Sequence, residues 1–327
     1  NYSAAMADPD RSFRKEFFEK LLRTYGGYIN TLSSNYYALV KANVHIAKTR
    51  GYSSARNQSL SSNFIPEEVY DNLLQTVRSN TEPFQRYISL RNRVLDLDKS
   101  YMYDMFIPIV PDVDKKYTFE EAYDLMLKAT SILGEDYTEL VKRSHDEQWC
   151  DVYPKKGKVS GAYSTSVYDV HPYMLLNYTG TLGDVFTLLH ETGHSMHSWY
   201  SNQTQPFLYS DYTLFCAEVA STTNEMILYH YLLDHAQTKE EKALLLSKHL
   251  DDIRSTFYRQ TMFAEFEQKA HEMAAAGESM TSQSLCNIYK KLNEDYFGPD
   301  TVIDPEIQYE WERIPHFYTP FYVYQYA

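Results

Sequence analysis

Apolar residues recur at intervals of three and four positions along most of the chain, a spacing that predicts amphipathic helices. Residues 8–51 show the pattern first, with Phe13 and Phe17 one helical turn apart and Asp10 as a natural N-cap. The same spacing returns further along the chain, and one of the helices that it predicts begins with a capping box at Thr118–Glu121. We therefore expect a mostly α-helical fold.

The pattern changes between residues 149 and 183, where glycines, prolines and β-prone residues replace the helical spacing. This stretch predicts a small hairpin or two short strands, and helices resume at Leu182 and continue almost to the end. We find no internal repeat and no linker-like run. The simplest prediction is one mostly helical domain, 1–327, made of a helical part (1–148), a small β region (149–183) and a second helical part (184–327).

Charge and cysteine content narrow the class of protein. The chain has 31 basic and 44 acidic residues, a formal net charge of −13, which argues against nucleic acids and anionic membranes as partners. No apolar run approaches the roughly 20 residues of a membrane span, and we find no signal peptide. The three cysteines are widely spaced and odd in number, so we expect a reducing, cytoplasmic environment and no disulfide framework.

The most informative motif is HETGH, which contains His190, Glu191 and His194. Histidines at i and i+4 lie on one face of a helix, where two imidazole nitrogens can bind one zinc ion. Glu191 is placed beside that point and could take a proton from a water that the metal activates. Gly193 removes a side chain where a neighbouring element could approach the helix.

The third ligand decides which kind of zinc site this is. Proteases with a third histidine place it where this chain has Tyr200, so that class is excluded. Glu218 lies among apolar residues on the next predicted helix and completes a two-histidine, one-carboxylate set, although an acid in a first helical turn is the alternative. Glu225, on the same face, could orient a ligand histidine or simply be solvated. We expect His197 to be a hydrogen-bonded structural histidine and not a fourth ligand.

These residues carry a resemblance to a known family. HETGH, followed 24 residues after its second histidine by the glutamate of AEVASTTNE, resembles the oligoendopeptidase F branch of the thimet oligopeptidase family of zinc metallopeptidases. The segments WCDVYPKKGKVSGAYS, HPYMLLNYTGTLGDVFTLLHETGH and RIPHFYTPFYVYQYA resemble family segments in the same order. The likeness covers essentially the whole chain.

The resemblance implies a helical, zincin-like fold in which the first helical part forms a wall of a deep peptide-binding cleft, with the β region beside the zinc-site helix. It implies one Zn²⁺ per chain and hydrolysis of internal bonds in short, unstructured peptides. The implied ligands are His190, His194 and Glu218, with Glu191 as general base. The C-terminal run matches a segment that supplies a histidine and tyrosines to the substrate carbonyl, and the candidates are His316 and Tyr324, then Tyr318 and Tyr322.

Two alternatives and two expectations accompany this interpretation. A helical peptide-binding or scaffold module with a structural or vestigial zinc site remains an alternative, and so does a zinc hydrolase of non-peptide amides. The family's chains are longer, so we expect this chain to be a piece of a longer protein whose N-terminal region is its partner. We also expect residues 171–180 to offer a strand edge to the peptide backbone.

Overall fold

The computed structural model describes residues 2–110 and 115–327 and consists mainly of α-helices, so the predicted fold class is confirmed. The helices are α1 (Tyr2–Met6), α2 (Arg11–Gly26), α3 (Ile29–Thr49), α4 (Ala55–Ser61), α5 (Glu67–Ser79), α6 (Glu82–Val94), α7 (Phe119–Thr130), α8 (Glu135–Asp146), α9 (Leu182–Thr204), α10 (Leu214–His235), α11 (Lys239–Asp252), α12 (Arg259–Ala275) and α13 (Ser282–Phe297). The strands are β1 (Ser100–Tyr101), β2 (Cys150–Asp151), β3 (Tyr163–Thr165), β4 (Tyr173–Leu175) and β5 (Thr301–Val302). Within the described ranges, no helix combines the length and the apolar character of a transmembrane span.

The chain forms two compact units, each with its own hydrophobic core. The first unit contains Asn1–Ile109 and Leu250–Ala327, and the second contains Val110–His249. The contacts thus group the chain differently from the single domain and the sequence boundaries predicted above. Those boundaries followed local changes in pattern, whereas the first unit joins segments that are far apart in the sequence.

The first unit surrounds a core rich in aromatic side chains. Its helix α2 begins at Asp10, whose side chain accepts hydrogen bonds from the backbone N–H groups of Ser12 and Phe13. The long helix predicted for residues 8–51 is broken at Gly27, after which α3 begins. Large side chains buried in this core include Tyr36, Phe18, Phe263, Phe266, Trp311, Phe317 and Phe321.

The end of the first unit differs from the continuous helices that we predicted. After α13 the chain forms short 3₁₀ turns, Pro305–Arg313, Pro315–Tyr318 and Val323–Tyr326. Pro305 and Pro315 each open one of these turns, because proline lacks the N–H that an α-helix interior needs. The two-residue strands β1 and β5 pair in parallel and were not predicted.

The second unit places a small sheet against the helix that carries HETGH. The predicted capping box at Thr118–Glu121 is present at the start of α7. The sheet has three strands in the order β2-β4-β3, with β2 parallel and β3 antiparallel to β4. The Ser164 hydroxyl on β3 lies 2.8 Å from the Ser195 hydroxyl on α9, which fixes this strand beside the helix.

A buried ion cluster stabilises the first unit. Glu310 lies within 2.8 Å of both the Arg259 and Arg313 guanidinium groups and accepts a hydrogen bond from the Tyr289 hydroxyl at 2.7 Å. Burial by itself raises the pKa of Glu310, but the two arginines outweigh burial and lower it to about 2. The folded state therefore keeps this carboxylate ionised at pH values well below those at which an ordinary glutamate takes up a proton.

We predict that Glu310→Gln costs roughly 3 kcal/mol of unfolding free energy near pH 7, because it leaves two partly buried guanidinium groups without their carboxylate. The folded pKa lies below the unfolded value of about 4.3, so the contribution is complete above that pH and is lost as pH falls toward 2. Urea unfolding at pH 7 and pH 3 measures the effect. Glu139→Gln, in an exposed pair with Lys142, is the control, and equal losses in both variants would contradict the prediction.

Candidate metal centre

Helices α9 and α10 approach each other closely at Gly193. A Cβ atom at this position would lie 2.8 Å from both the Ala220 carbonyl oxygen and the Ser221 Cα atom. These neighbours are backbone atoms and cannot rotate away, so a side chain at Gly193 would push the helices apart. The glycine therefore allows the approach that brings Glu218 on α10 to the histidines on α9.

The structure brings His190, His194 and Glu218 together. The two histidine Nε2 atoms are 3.1 Å apart, and Glu218 Oε2 lies 3.5 Å from His190 Nε2 and 3.8 Å from His194 Nε2. Ligand atoms about 2.0–2.2 Å from a tetrahedral zinc lie roughly 3.3–3.5 Å from one another. The three side chains thus have the chemistry of a zinc site, and the spacing of their ligand atoms is close to what such a site requires.

A hydrogen bond on the far side of the His190 ring determines which of its nitrogens faces the site. His190 Nδ1 lies 3.2 Å from Glu225 Oε1. A carboxylate only accepts hydrogen bonds, so we infer that His190 carries its proton on Nδ1. The unprotonated Nε2 of His190 then faces His194 Nε2 and Glu218 Oε2, an arrangement that a bound cation would stabilise.

The electrostatics of the two rings differ. Burial lowers the pKa of His190, but the hydrogen bond and charge of Glu225, together with two further carboxylates, outweigh burial and raise it overall. Burial and the neighbouring His190 ring lower the pKa of His194. The Ser221 hydroxyl donates a 2.8 Å hydrogen bond to Glu218 Oε2, which holds this carboxylate in place.

Glu191 lies beside the three ligands and is 6% exposed. Burial raises its pKa, and the backbone of Ser164 on β3 donates a hydrogen bond that opposes this shift only in part. Its Oε2 atom has no hydrogen-bond partner among the described residues. A carboxyl group with a raised pKa and an unused oxygen suits proton transfer in a site.

The strand edge next to this carboxylate is not the one predicted. We expected residues 171–180 to provide it, but β4 is the central strand and pairs on both sides. The outer strand next to α9 is β3, which contacts this helix through Ser164. The error arose because the sequence did not reveal that a third strand, β2, pairs with β4.

Asn224 makes a further contact between α10 and α9. Asn224 on α10 donates to the Leu189 carbonyl at 3.2 Å and exchanges hydrogen bonds with the Tyr137 hydroxyl. We did not identify Asn224 from the sequence, although a buried amide in an apolar helix was the available signal.

His197 stacks on Tyr212 with ring centroids 3.7 Å apart, and its Nδ1 has no hydrogen-bond partner in the described part of the chain. Stacking, rather than the predicted hydrogen bond, is its visible contact.

The C-terminal candidates lie in the first unit. His316 is exposed, its Nδ1 lies 3.1 Å from the Tyr326 hydroxyl, and its ring packs 5.2 Å from that of Tyr322. Tyr318 is 38% exposed. Tyr324 is only 3% exposed and packs edge-on against Tyr70. Tyr322 and Tyr326, rather than Tyr324, therefore neighbour His316.

Comparisons with known proteins identify the family. The model of peptidase family M3 matches residues 4–327. Oligopeptidase PepF of Bacillus subtilis (strain 168) is 46% identical over all of this chain and 49% of its own length. The chromosomal oligoendopeptidase F of Lactococcus lactis subsp. cremoris is 44% identical over all of this chain and 54% of its own. The crystal structure of oligoendopeptidase-F from Enterococcus faecium matches 99% of this chain and 51% of that chain, with a TM-score of 0.77 and 36% identity.

The chain therefore belongs to peptidase family M3, and the resemblance to oligoendopeptidase F noted in the motifs is confirmed. The chain spans about half the length of the curated relatives that it matches.

We predict that Gly193→Ala lowers zinc affinity by about tenfold or more while α9 stays helical, because a Cβ there separates Glu218 from the histidines. Gly183→Ala on the same helix is the matched control, since its Cβ would meet nothing closer than the Thr181 hydroxyl at 3.6 Å. Competition with a zinc chelator measures both affinities. Equal affinities in the two variants would show that the helix approach does not control the site.

Proposed function

We propose that this chain carries the catalytic zinc site of an endopeptidase that hydrolyses internal bonds of short, unstructured peptides. The observation that carries the proposal is the convergence of two imidazole Nε2 atoms and one carboxylate oxygen, with Nδ1 of His190 bonded on the far side to Glu225. Membership of peptidase family M3 and similarity to oligoendopeptidase F support the reaction class.

His190, His194 and Glu218 would hold the zinc ion. When bound, Zn²⁺ polarises the scissile carbonyl and makes water more acidic, with a pKa of about 7. Glu225 orients the His190 ring and Ser221 orients Glu218, so these two residues keep the ligands in position before the metal arrives.

Glu191 acts as the general base. Its carboxyl accepts a proton from the attacking water and then transfers that proton to the amine that leaves. The buried position and the unused Oε2 favour this role over that of a surface acid. A scaffold with a structural metal site would have no use for Glu191, so this residue separates the proposal from its main alternative.

The substrate would lie along an exposed edge near Glu191. Strand β3 is an outer strand, and its Ser164 backbone already reaches Glu191, so a peptide that pairs with β3 would pass close to the base. Backbone pairing orients a peptide without reading its side chains, which suits broad specificity. His316, with Tyr322 and Tyr326, is a candidate set of donors to the substrate carbonyl, and Tyr318 and Tyr324 remain candidates from the sequence.

The activity, substrates and partners of the whole protein are part of this proposal, because the relatives are about twice as long as this chain. We also propose a cytoplasmic location. All three cysteines lie in the described part of the chain and are unpaired, as a reducing environment would require.

We predict that Glu191→Gln retains zinc but loses hydrolysis by about 10²–10⁴-fold, since an amide cannot accept the proton while the ligands stay intact. Metal content and cleavage of a quenched fluorescent peptide are measured on the same preparation. Normal turnover at full zinc occupancy would refute the assigned role, and loss of zinc would mean that Glu191 is needed to form the site.

We also predict that flexible peptides are cleaved while natively folded proteins are not, because only an extended backbone can pair with β3. The measurement compares a folded protein with a peptide taken from its own sequence, so that the cleavage sites are the same. Comparable rates for both would contradict the proposed substrate class.

A further inference from the structure

One peptide group near the end of the chain is held from two sides. The Pro320 carbonyl accepts a hydrogen bond from the Ser59 hydroxyl on α4 at 3.1 Å. The Phe321 N–H, which belongs to the same peptide group, donates to Glu267 Oε1 on α12 at 2.6 Å. Both polar atoms of this peptide are therefore fixed, and the plane of the peptide cannot rotate without losing both contacts.

This arrangement carries two separate energetic costs. Glu267 is completely buried, and its second oxygen has no hydrogen-bond partner in the described ranges. Burial raises the pKa of Glu267 to about 8, so the group is held as a neutral acid at pH 7. Phe321 has a φ of 50°, in the left-handed region that a bulky residue avoids at a cost of about 1–3 kcal/mol.

No positive charge in the described part of the chain shifts the pKa of Glu267. The side chains whose titration it influences are the tyrosines Tyr36, Tyr70 and Tyr324, and none of these brings a positive charge. His271 on the same helix bonds to the Glu267 backbone carbonyl, and burial lowers the pKa of its ring to about 4, so this ring is neutral as well. An apolar residue would fill such a core position at lower cost.

The held peptide lies at the middle of a loop that is closed at its ends. His316 and Tyr326 are joined by a hydrogen bond at 3.1 Å on the exposed side. Between them, Phe321 has a φ of 50°, and the centroids of the Tyr322 and His316 rings are 5.2 Å apart. The peptide held by Glu267 thus lies within the segment that places Tyr322 and Tyr326 beside His316.

We propose that Glu267 is a positioning residue that clamps the Pro320–Phe321 peptide and thereby fixes the arrangement of His316, Tyr322 and Tyr326 relative to one another. This inference rests on the proposed function, in which these three side chains are candidate donors to the scissile carbonyl. Ser59 makes the weaker of the two contacts, since its hydroxyl lies 3.1 Å from the Pro320 carbonyl oxygen, whereas Glu267 Oε1 lies 2.6 Å from the Phe321 nitrogen.

The test compares four variants of the zinc-loaded protein. Glu267→Ala removes the acceptor, whereas Glu267→Gln keeps an oxygen at the same place and cannot ionise. Leu292→Ala, a core residue on α13 outside the clamp, is the control for general destabilisation. His316→Ala reports whether the segment takes part in the reaction at all. Thermal melting, kcat, KM and backbone hydrogen exchange of residues 316–326 are measured for each.

We expect Glu267→Ala to speed hydrogen exchange in residues 316–326 and to lower kcat by up to about 100-fold with a smaller change in KM, because the donors act in the transition state. Glu267→Gln should restore most of kcat. Leu292→Ala should lower the melting temperature without this local change in exchange or this loss of kcat.

Three results would overturn the inference. Unchanged exchange in residues 316–326 would mean that Glu267 does not hold the segment, whatever happens to kcat. Equal losses of kcat in Glu267→Ala and Leu292→Ala would mean that only general stability matters. Faster exchange with normal kcat in Glu267→Ala would also overturn it, and the kcat of His316→Ala then separates the causes. A normal kcat in His316→Ala would mean that the proposed role of the segment is wrong. A reduced kcat in His316→Ala would mean that the segment acts but the clamp is unnecessary.

Discussion

The close approach of α9 and α10 at Gly193 is the constraint on which the rest of the candidate site depends. The two histidines come from one helix, so their spacing is fixed by helical geometry, but Glu218 comes from another helix and its distance is set by packing. A Cβ atom would meet backbone at 2.8 Å, so only glycine permits this packing. Glu218, Ser221 and Glu225 then follow one another along the face of α10 that meets α9, and the ligand, its support and the orienting carboxylate arrive together.

Much of this arrangement was predictable because it depends on local spacing. The i, i+4 histidine pair and the seven-residue interval between Glu218 and Glu225 follow directly from the period of a helix. The structure brings His190, His194 and Glu218 together and places Glu225 on the far side of the His190 ring. The same reasoning explains why the helical fold class was predicted correctly. It missed the support from Asn224, because a single amide in an apolar helix carries no period and is a weak signal.

The parts that could not be predicted depend on contacts between distant segments or on backbone conformation. β2 pairs with β4 across more than twenty residues, so the sequence did not show that β4 is central and β3 outer. In the C-terminal run, tyrosines are so dense that many of them could face His316. The structure places Tyr322 and Tyr326 beside His316 while Tyr324 enters the core, and the left-handed residue Phe321 lies within this run.

The most direct test of the account is the zinc content of the purified protein together with X-ray absorption at the zinc edge. We expect about one zinc per chain, bound by two imidazoles and one carboxylate, with the stoichiometry lost in His194→Ala and the oxygen ligand changed in Glu218→Gln. Each variant should keep its helical content, because neither side chain is needed to form α9 or α10. Unchanged zinc content in His194→Ala would mean that the metal binds elsewhere, and would contradict the central claim that these two helices build the site.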